Sequence, residues 1–252
     1  MTKKLTERWP ALPYVLPFVL FLLLIDLAGR LPSGVAWVYP LQTLFIGLLL
    51  FIFRSSFPEI HPSFRGDQRA SMDSSLSTIL VSVGVGLAVF AIWILPDRLG
   101  WRYPRPDELL WLVMNRIGLD DTPPEPPTLF DPFAYFQSTA WAAVWIAFRL
   151  LRMAVVVPVM EELFWRSFLI RYLINPHFKQ VPIGAFSWLS FGATVLFFGA
   201  EHHLWVVGLI AGAIYNLLLY RTLSLFSCIV AHAVTNLVLG IYVLITHEWM
   251  YL

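Results

Sequence analysis

Charged residues are scarce in this chain of 252 residues. They make up 13% of the sequence, against about 25% in an ordinary soluble domain. Apolar and aromatic residues make up 58%, and the mean hydropathy is +0.71. The 17 basic and 16 acidic side chains nearly cancel, and no basic block is present. This composition excludes a soluble globular enzyme, a disordered tail and a coiled coil, and it predicts that no nucleic acid is a partner.

Cysteine is almost absent as well. Cys228 stands alone, which excludes an intrachain disulfide framework and a zinc site built from cysteines. The sequence has long apolar runs instead: between Val181 and His247 only Glu201 and Arg221 carry a charge. Such runs approach the ~20 residues that a helix needs to cross a bilayer core. Since backbone in hydrocarbon must be helical or in a closed barrel, we predict an all-α, polytopic membrane protein in a lipid bilayer.

The apolar runs predict about eight transmembrane helices in a single membrane domain, 1–252. They lie at about 12–28, 35–53, 76–95, 139–157, 158–174, 183–200, 204–220 and 223–246. The segment 96–137 is rich in proline and charge, which predicts a polar loop with a short helix near Asp107–Ile117. Gly208 and Gly212, four residues apart, predict close packing between two helices.

Lysine and arginine cluster in the N-terminal tail and in the polar segment Arg54–Ser75. By the positive-inside rule this places the N-terminus in the cytoplasm. The predicted location is the cell inner membrane, with multiple spans.

A few ionisable or amide side chains interrupt the apolar runs, and at bilayer depth such groups are costly and indicate function. They are Asp26, Glu161, Glu162, Arg166, His202, His203, His232 and Asn236. Asp26 is interpreted as a lone group at a helix end.

Glu161 and Glu162 are adjacent, so they point about 100° apart on a helix. Glu162 precedes Arg166 by four residues, the favourable order for a helical ion pair. Glu161 has no such local partner. It is therefore a candidate general base if it faces a shielded cavity, and the alternative is a bond to another helix or to headgroups.

The histidines lie on two further helices. His202 and His203 follow a helix end, while His232 and Asn236 share one helix face. Each pair alone fits interfacial or helix–helix hydrogen bonding. Together with a carboxylate, they supply a base, a proton carrier or ligand, and two oxyanion donors, which matches hydrolysis by an activated water.

Other intramembrane hydrolases need motifs that this sequence lacks. The pair His247-Glu248 is not followed by a second histidine at the spacing of an HExxH site. No G-x-S-x-G elbow is present for a serine nucleophile, and no G-x-G-D is present for an aspartate dyad.

Three motifs resemble those of the CPBP family, the CAAX-protease and bacteriocin-processing intramembrane proteases. The run Glu161–Arg166 resembles its EExxxR motif, Phe198–His202 resembles FxxxH, and His232–Asn236 resembles HxxxN. The surrounding sequence looks most like bacterial CAAX-protease-related proteins associated with exosortase systems. The resemblance places a catalytic core at 139–246.

The resemblance implies an intramembrane endopeptidase in which Glu161, aided by His202, activates the water. His232 and Asn236 would then stabilise the tetrahedral oxyanion. Three further residues would support this geometry: Glu162, Arg166 and Phe198. His203 matches no motif position.

The sequence alone does not determine the cofactor or the substrate. A metal-free glutamate mechanism is preferred, and zinc held by Glu161, His202 and His232 is the alternative. The expected partner is a membrane protein or a lipidated peptide substrate. A non-proteolytic membrane scaffold or immunity factor of the same fold is the other functional class, and a transporter is disfavoured because no paired repeats are seen.

Overall fold

The computed structural model describes residues 2–31, 33–61, 76–101, 104–124 and 129–251. Within these ranges the chain forms helices and no strand, which confirms the predicted all-α class. The helices are α1 (Thr2–Arg8), α2 (Leu12–Arg30), α3 (Gly34–Phe53), α4 (Leu76–Arg98), α5 (Pro106–Arg116), α6 (Pro132–Phe136), α7 (Thr139–Ile174), α8 (Trp188–Ala200), α9 (Trp205–Thr222) and α10 (Leu225–Thr246).

Six of the described helices are long and apolar enough to cross a membrane: α2, α3, α4, α7, α9 and α10. The predicted number of eight is corrected in two places. The spans expected at 139–157 and 158–174 form the single helix α7. The span expected at 183–200 begins only at Trp188, and the resulting 13-residue α8 is about 20 Å long, which is shorter than a bilayer core.

Helix α7 continues through a proline that predicted a helix start. Pro158 has no N–H to donate, but a π-helical turn, Arg152–Val156, directly precedes it. A second π-helical stretch, Leu163–Leu169, follows. Wider turns of this kind rearrange the backbone hydrogen bonds and let a helix pass an irregular residue. One helix of 36 residues therefore carries the whole EExxxR motif.

Small residues bring the helices that carry the other motifs into contact. A Cβ added at Gly208 would lie 3.0 Å from the Cα of Gly199, and one at Gly212 would lie 3.1 Å from the Phe198 ring. The predicted close packing at these two glycines is thus confirmed, with α8 as the partner of α9. Likewise, Gly86 of α4 packs directly on the backbone of α10 at Ala231.

The outer surface of the helices is apolar, as lipid contact requires. Leu41, Leu80 and Ile245, for example, are more than half exposed. In the proline-rich segment, the predicted short helix is present as α5, and its apolar side chains are exposed, Leu110 at 64%. Residues 102–103 and 125–128 of this segment, and 62–75 of the earlier polar segment, lie outside the described residues.

Candidate active site

The site is built around a buried ion pair on α7. Arg166 Nη1 lies 3.2 Å from Glu162 Oε1, as the spacing of four residues predicted. The guanidinium also donates to the Oδ1 of Asn216 at 3.2 Å and to the carbonyl of Gly212 at 3.3 Å. It lies 4.4 Å from the centroid of the Phe198 ring. Contacts from three helices therefore fix this arginine.

His232 of α10 is held against the same pair. Its Nδ1 lies 2.9 Å from Glu162 Oε1, and its ring stacks on Tyr215 with 5.2 Å between centroids. Because Nδ1–H donates to Glu162, Nε2 is the nitrogen left for chemistry. Nε2 lies 4.0 Å from Glu161 Oε2.

Glu161 has the unpaired position that its sequence context predicted. It is 5% exposed, and its Oε2 is buried with no hydrogen-bond partner. It lines a cavity of about 300 Å³ between the helices. All four residues predicted to be catalytic line this cavity: Glu161, His202, His232 and Asn236.

His202 lies in the short loop between α8 and α9. Its Nδ1 donates to the backbone carbonyl of Phe198 at 2.6 Å, so Nε2 is free to accept a proton or bind a ligand. The ring lies between Trp93 and Phe198, with centroids 5.3 and 4.9 Å away. Burial among these groups lowers the pKa of His202 to about 4. Phe198 thus contacts both this histidine and Arg166, and its supporting role stays a prediction.

Asn236 lies one turn beyond His232 on α10. Its Nδ2 donates to the carbonyl of Met153 at 3.0 Å, inside the π-helical turn Arg152–Val156. An asparagine amide has a second N–H. The irregular turn of α7 therefore orients the amide, and the second N–H is available to a ligand.

Glu201, which sequence reasoning left unassigned inside the FxxxH motif, belongs to this site. Ligand atoms of Glu161, Glu201 and His202 all lie within 4.8 Å of one another. Oε1 of Glu201 is buried and has no hydrogen-bond partner. Burial, and then the charge of Glu161, raise the pKa of Glu201 well above its ordinary value. The available signal was its isolation, as one of two charged residues between 181 and 247.

The same three residues are the described group with the geometry to hold a metal ion. Two carboxylates and an imidazole suit a divalent cation. The zinc set predicted from the sequence contains His232 in place of Glu201. In the described residues, the closely spaced group contains Glu201 and does not include His232.

Two other polar residues lie apart from this chemistry. Asp26 lies near the end of α2, as predicted, but it is not a lone group, because it forms an exposed ion pair with Arg30 at 2.8 Å. His203 is exposed, and it borders the cavity without a motif position.

Residues 143–238 match the family described as Rce1-like, type II CAAX prenyl endopeptidase Rce1-like. This range contains all three motifs. Neither the curated proteins nor the solved structures include a significant match to the chain. The match agrees with the resemblance that the motifs predicted: residues 143–238 are similar to the type II CAAX prenyl endopeptidase Rce1-like family.

Proposed function

We propose that this protein is an intramembrane endopeptidase that hydrolyses a peptide bond of a membrane protein or a lipidated peptide. The family match supports the protease class. The observation that carries the proposal is Glu161, a buried carboxylate with an unpartnered oxygen in a cavity among membrane helices. A link to exosortase systems stays a prediction from sequence.

In the proposed reaction, Glu161 is the general base. It takes a proton from a water molecule while the water oxygen bonds to the scissile carbonyl carbon. We assign Glu201 as the neutral partner, because burial and the charge of Glu161 raise its pKa. Its hydroxyl donates to Glu161 or to the reacting water, and His202 offers Nε2 as a second acceptor. The leaving amine then takes the proton from Glu161, which restores the starting state.

The developing oxyanion is stabilised from α10. We assign this role to the second N–H of Asn236 and to Nε2 of a protonated His232. Protonated His232 donates from both nitrogens, through Nδ1 to Glu162 and through Nε2 to the oxyanion. Around Glu162, the two carboxylates of Glu161 and Glu162 then face one imidazolium and the guanidinium of Arg166.

The proposed mechanism uses no metal ion. A proton held by Glu201 neutralises one carboxylate of the Glu161–Glu201 pair, which is the task that a cation would otherwise perform. We expect the purified protein to keep its activity in 1,10-phenanthroline and in EDTA, with less than stoichiometric zinc by elemental analysis. Loss of activity with chelator, and recovery on adding zinc, would contradict this part of the proposal.

A membrane scaffold or immunity factor remains the competing proposal, and a survey of peptide termini in host membranes separates the two. The chain is compared with Glu161→Gln at matched expression. Asp26→Asn serves as control, because it makes the same change at an exposed carboxylate. We expect a set of new termini with wild type and with Asp26→Asn that disappears in Glu161→Gln. Identical surveys in all three strains would favour the scaffold.

A further inference from the structure

Two arginines in the catalytic helix lack the acidic partners that buried arginines usually have. Arg149 and Arg152 of α7 are 8% and 5% exposed. Neither forms an ion pair with a carboxylate in the described part of the chain. Three of their nitrogen atoms are buried without a hydrogen-bond partner: Nε and Nη1 of Arg149, and Nε of Arg152. Charged groups at this depth that have no acidic partner within the protein are expected to meet one from outside.

Aromatic rings hold these guanidinium groups in place. Both lie over the ring of Tyr39, at 4.8 Å for Arg149 and 4.3 Å for Arg152, and Arg152 also lies 4.8 Å from the centroid of Phe21. Stacking of this kind stabilises a cation through its face and leaves its N–H edge open. The rings therefore fix the two arginines and do not satisfy their donors.

Both arginines face the catalytic cavity. Each lines the 300 Å³ space that Glu161 lines, and Arg149 also lines a larger cavity of about 1040 Å³ beneath the proline-rich segment. Tyr39 and His203 border both spaces as well. Arg149 thus stands where the outer cavity meets the inner one, on a path by which a peptide could reach Glu161.

We propose that Arg149 and Arg152 form a binding site for a carboxylate of the substrate. The planar, forked donors of arginine match a carboxylate in a bidentate way, and two adjacent guanidinium groups favour a full negative charge. This inference rests on the proposed protease function, since it assigns the arginines to the same substrate. The carboxylate is either the carboxyl terminus of the peptide or an acidic side chain near the cut.

The geometry also sets where that carboxylate lies. Arg152 and Glu161 are nine residues apart on α7, which is about 13 Å along a helix axis. An extended peptide covers this distance in roughly four residues. The carboxylate is therefore expected within roughly three to five residues of the scissile bond.

The test uses four synthetic libraries of apolar 15-residue peptides with the full-length protein in detergent. The carboxyl terminus is either free or amidated, and Asp and Glu are either present or absent. We expect wild type to cleave peptides with a carboxylate about ten- to a hundredfold better in kcat/KM, mainly through KM. Dependence on the free terminus identifies the terminal carboxylate as the ligand, and dependence on Asp or Glu identifies a side chain.

Variants connect this preference to the two arginines. The double variant Arg149→Met/Arg152→Met is expected to lose the preference, whereas the matched control Arg221→Met, at an exposed arginine of α9, keeps it. The double lysine variant keeps charge without the fork and should retain part of the preference. Equal cleavage of all four libraries by wild type would overturn the site and leave the protease intact. No cleavage of any library by wild type would contradict the protease function and the site together.

A binding measurement covers the case in which the methionine variants fold poorly. In the Glu161→Gln protein, the free-acid peptides should raise the thermal unfolding midpoint more than their amides do. Adding the lysine substitutions should reduce that difference. A midpoint that responds equally to acid and amide, with Asp and Glu absent from both, would contradict the terminal carboxylate as the ligand. If libraries that contain Asp and Glu shift the midpoint no more than libraries that lack them, an acidic side chain is not the ligand.

Discussion

Glu161 and Glu162 show how one position along a helix separates a structural carboxylate from a reactive one. Glu162 is fully buried, and its Oε1 lies against Arg166 and His232, while its Oε2 has no hydrogen-bond partner and does not line the cavity. Glu161, about 100° around the helix, faces the cavity with an unpartnered oxygen. The ion pair was predictable because its two members lie on one helix. The contact with His232 was not, since it joins residues 70 positions apart.

The first prediction concerns the side chain of Glu201. Replacing it by glutamine keeps its size but removes the carboxyl proton that we assign to the Glu161–Glu201 pair. We expect kcat of Glu201→Gln to fall about a hundredfold with little change in KM. Glu248→Gln, at a surface carboxylate paired with Arg98, is the control. A Glu201→Gln protein with wild-type kcat would remove Glu201 from the mechanism.

The pH dependence of kcat follows from Glu201 and His202, which lie in the loop between α8 and α9. Glu201 acts as its neutral form, so activity should decline as pH rises through its raised pKa. His202 acts as its neutral form too, and because burial lowers its pKa to about 4, protonation of His202 should not limit activity near pH 6.5. We expect the alkaline limb of kcat to shift in Glu201→Gln, whose amide has no carboxyl proton to lose. An acid limb near pH 6.5 that disappears in His202→Gln would contradict the lowered pKa of His202.

At the scale of helices, the contact of α4 with α10 positions His232. A Cβ at Gly86 would lie 2.4 Å from the carbonyl of Ala231, next to the histidine in sequence. Gly86→Ala should therefore push the helices apart, destabilise the protein by about 1–3 kcal/mol and lower kcat. Gly84→Ala on the same helix is the matched control, because nothing lies within 4 Å of its added Cβ. Equal unfolding midpoints for the two variants would contradict this packing.

A second polar cluster anchors the far end of α7, and the sequence did not reveal it. Glu59 is 3% exposed, and its Oε1 lies 3.2 Å from Arg171 Nη2 and accepts a hydrogen bond from Tyr14 at 2.9 Å. Ser167 also donates to it. These residues come from separate segments, and the sequence showed only a polar segment after α3. Only the packing of α2 against α7 brings them together.

Removing the acid of this cluster tests its role. Glu59→Ala leaves Arg171 buried without its counter-charge, which is expected to cost about 3–5 kcal/mol of stability. The active-site cavity does not include either residue, so the folded fraction should keep wild-type KM. A thermal unfolding curve with a midpoint equal to wild type would show that the ion pair carries no stability.

For the whole molecule, the composition predicted the membrane class, and the motifs predicted the family whose model matches residues 143–238. The number of spans was not predictable, because Pro158 reads as a helix start and only the π-helical turn before it keeps α7 continuous. That difference decides the side of the membrane on which the loop after α7 lies. With α7 as one span, His177 and Glu7 share a side; with two spans they do not.

Labelling of introduced cysteines tests this topology. Cys228 is buried, so it gives a low background. We expect Glu7→Cys and His177→Cys, both at exposed positions, to react with an impermeant maleimide from the same side. The positive-inside rule predicts that this side is the cytoplasm. Reaction from opposite sides would restore two separate spans at 139–174.

The most direct test of the account is the single-turnover rate of purified protein on a peptide that the termini survey identifies. Wild type is compared with Glu161→Gln and with Asp26→Asn. We predict that Glu161→Gln loses at least about a hundredfold in rate, while Asp26→Asn matches wild type and all three bind the peptide equally. A Glu161→Gln protein that keeps more than about a tenth of the wild-type rate would contradict Glu161 as the base.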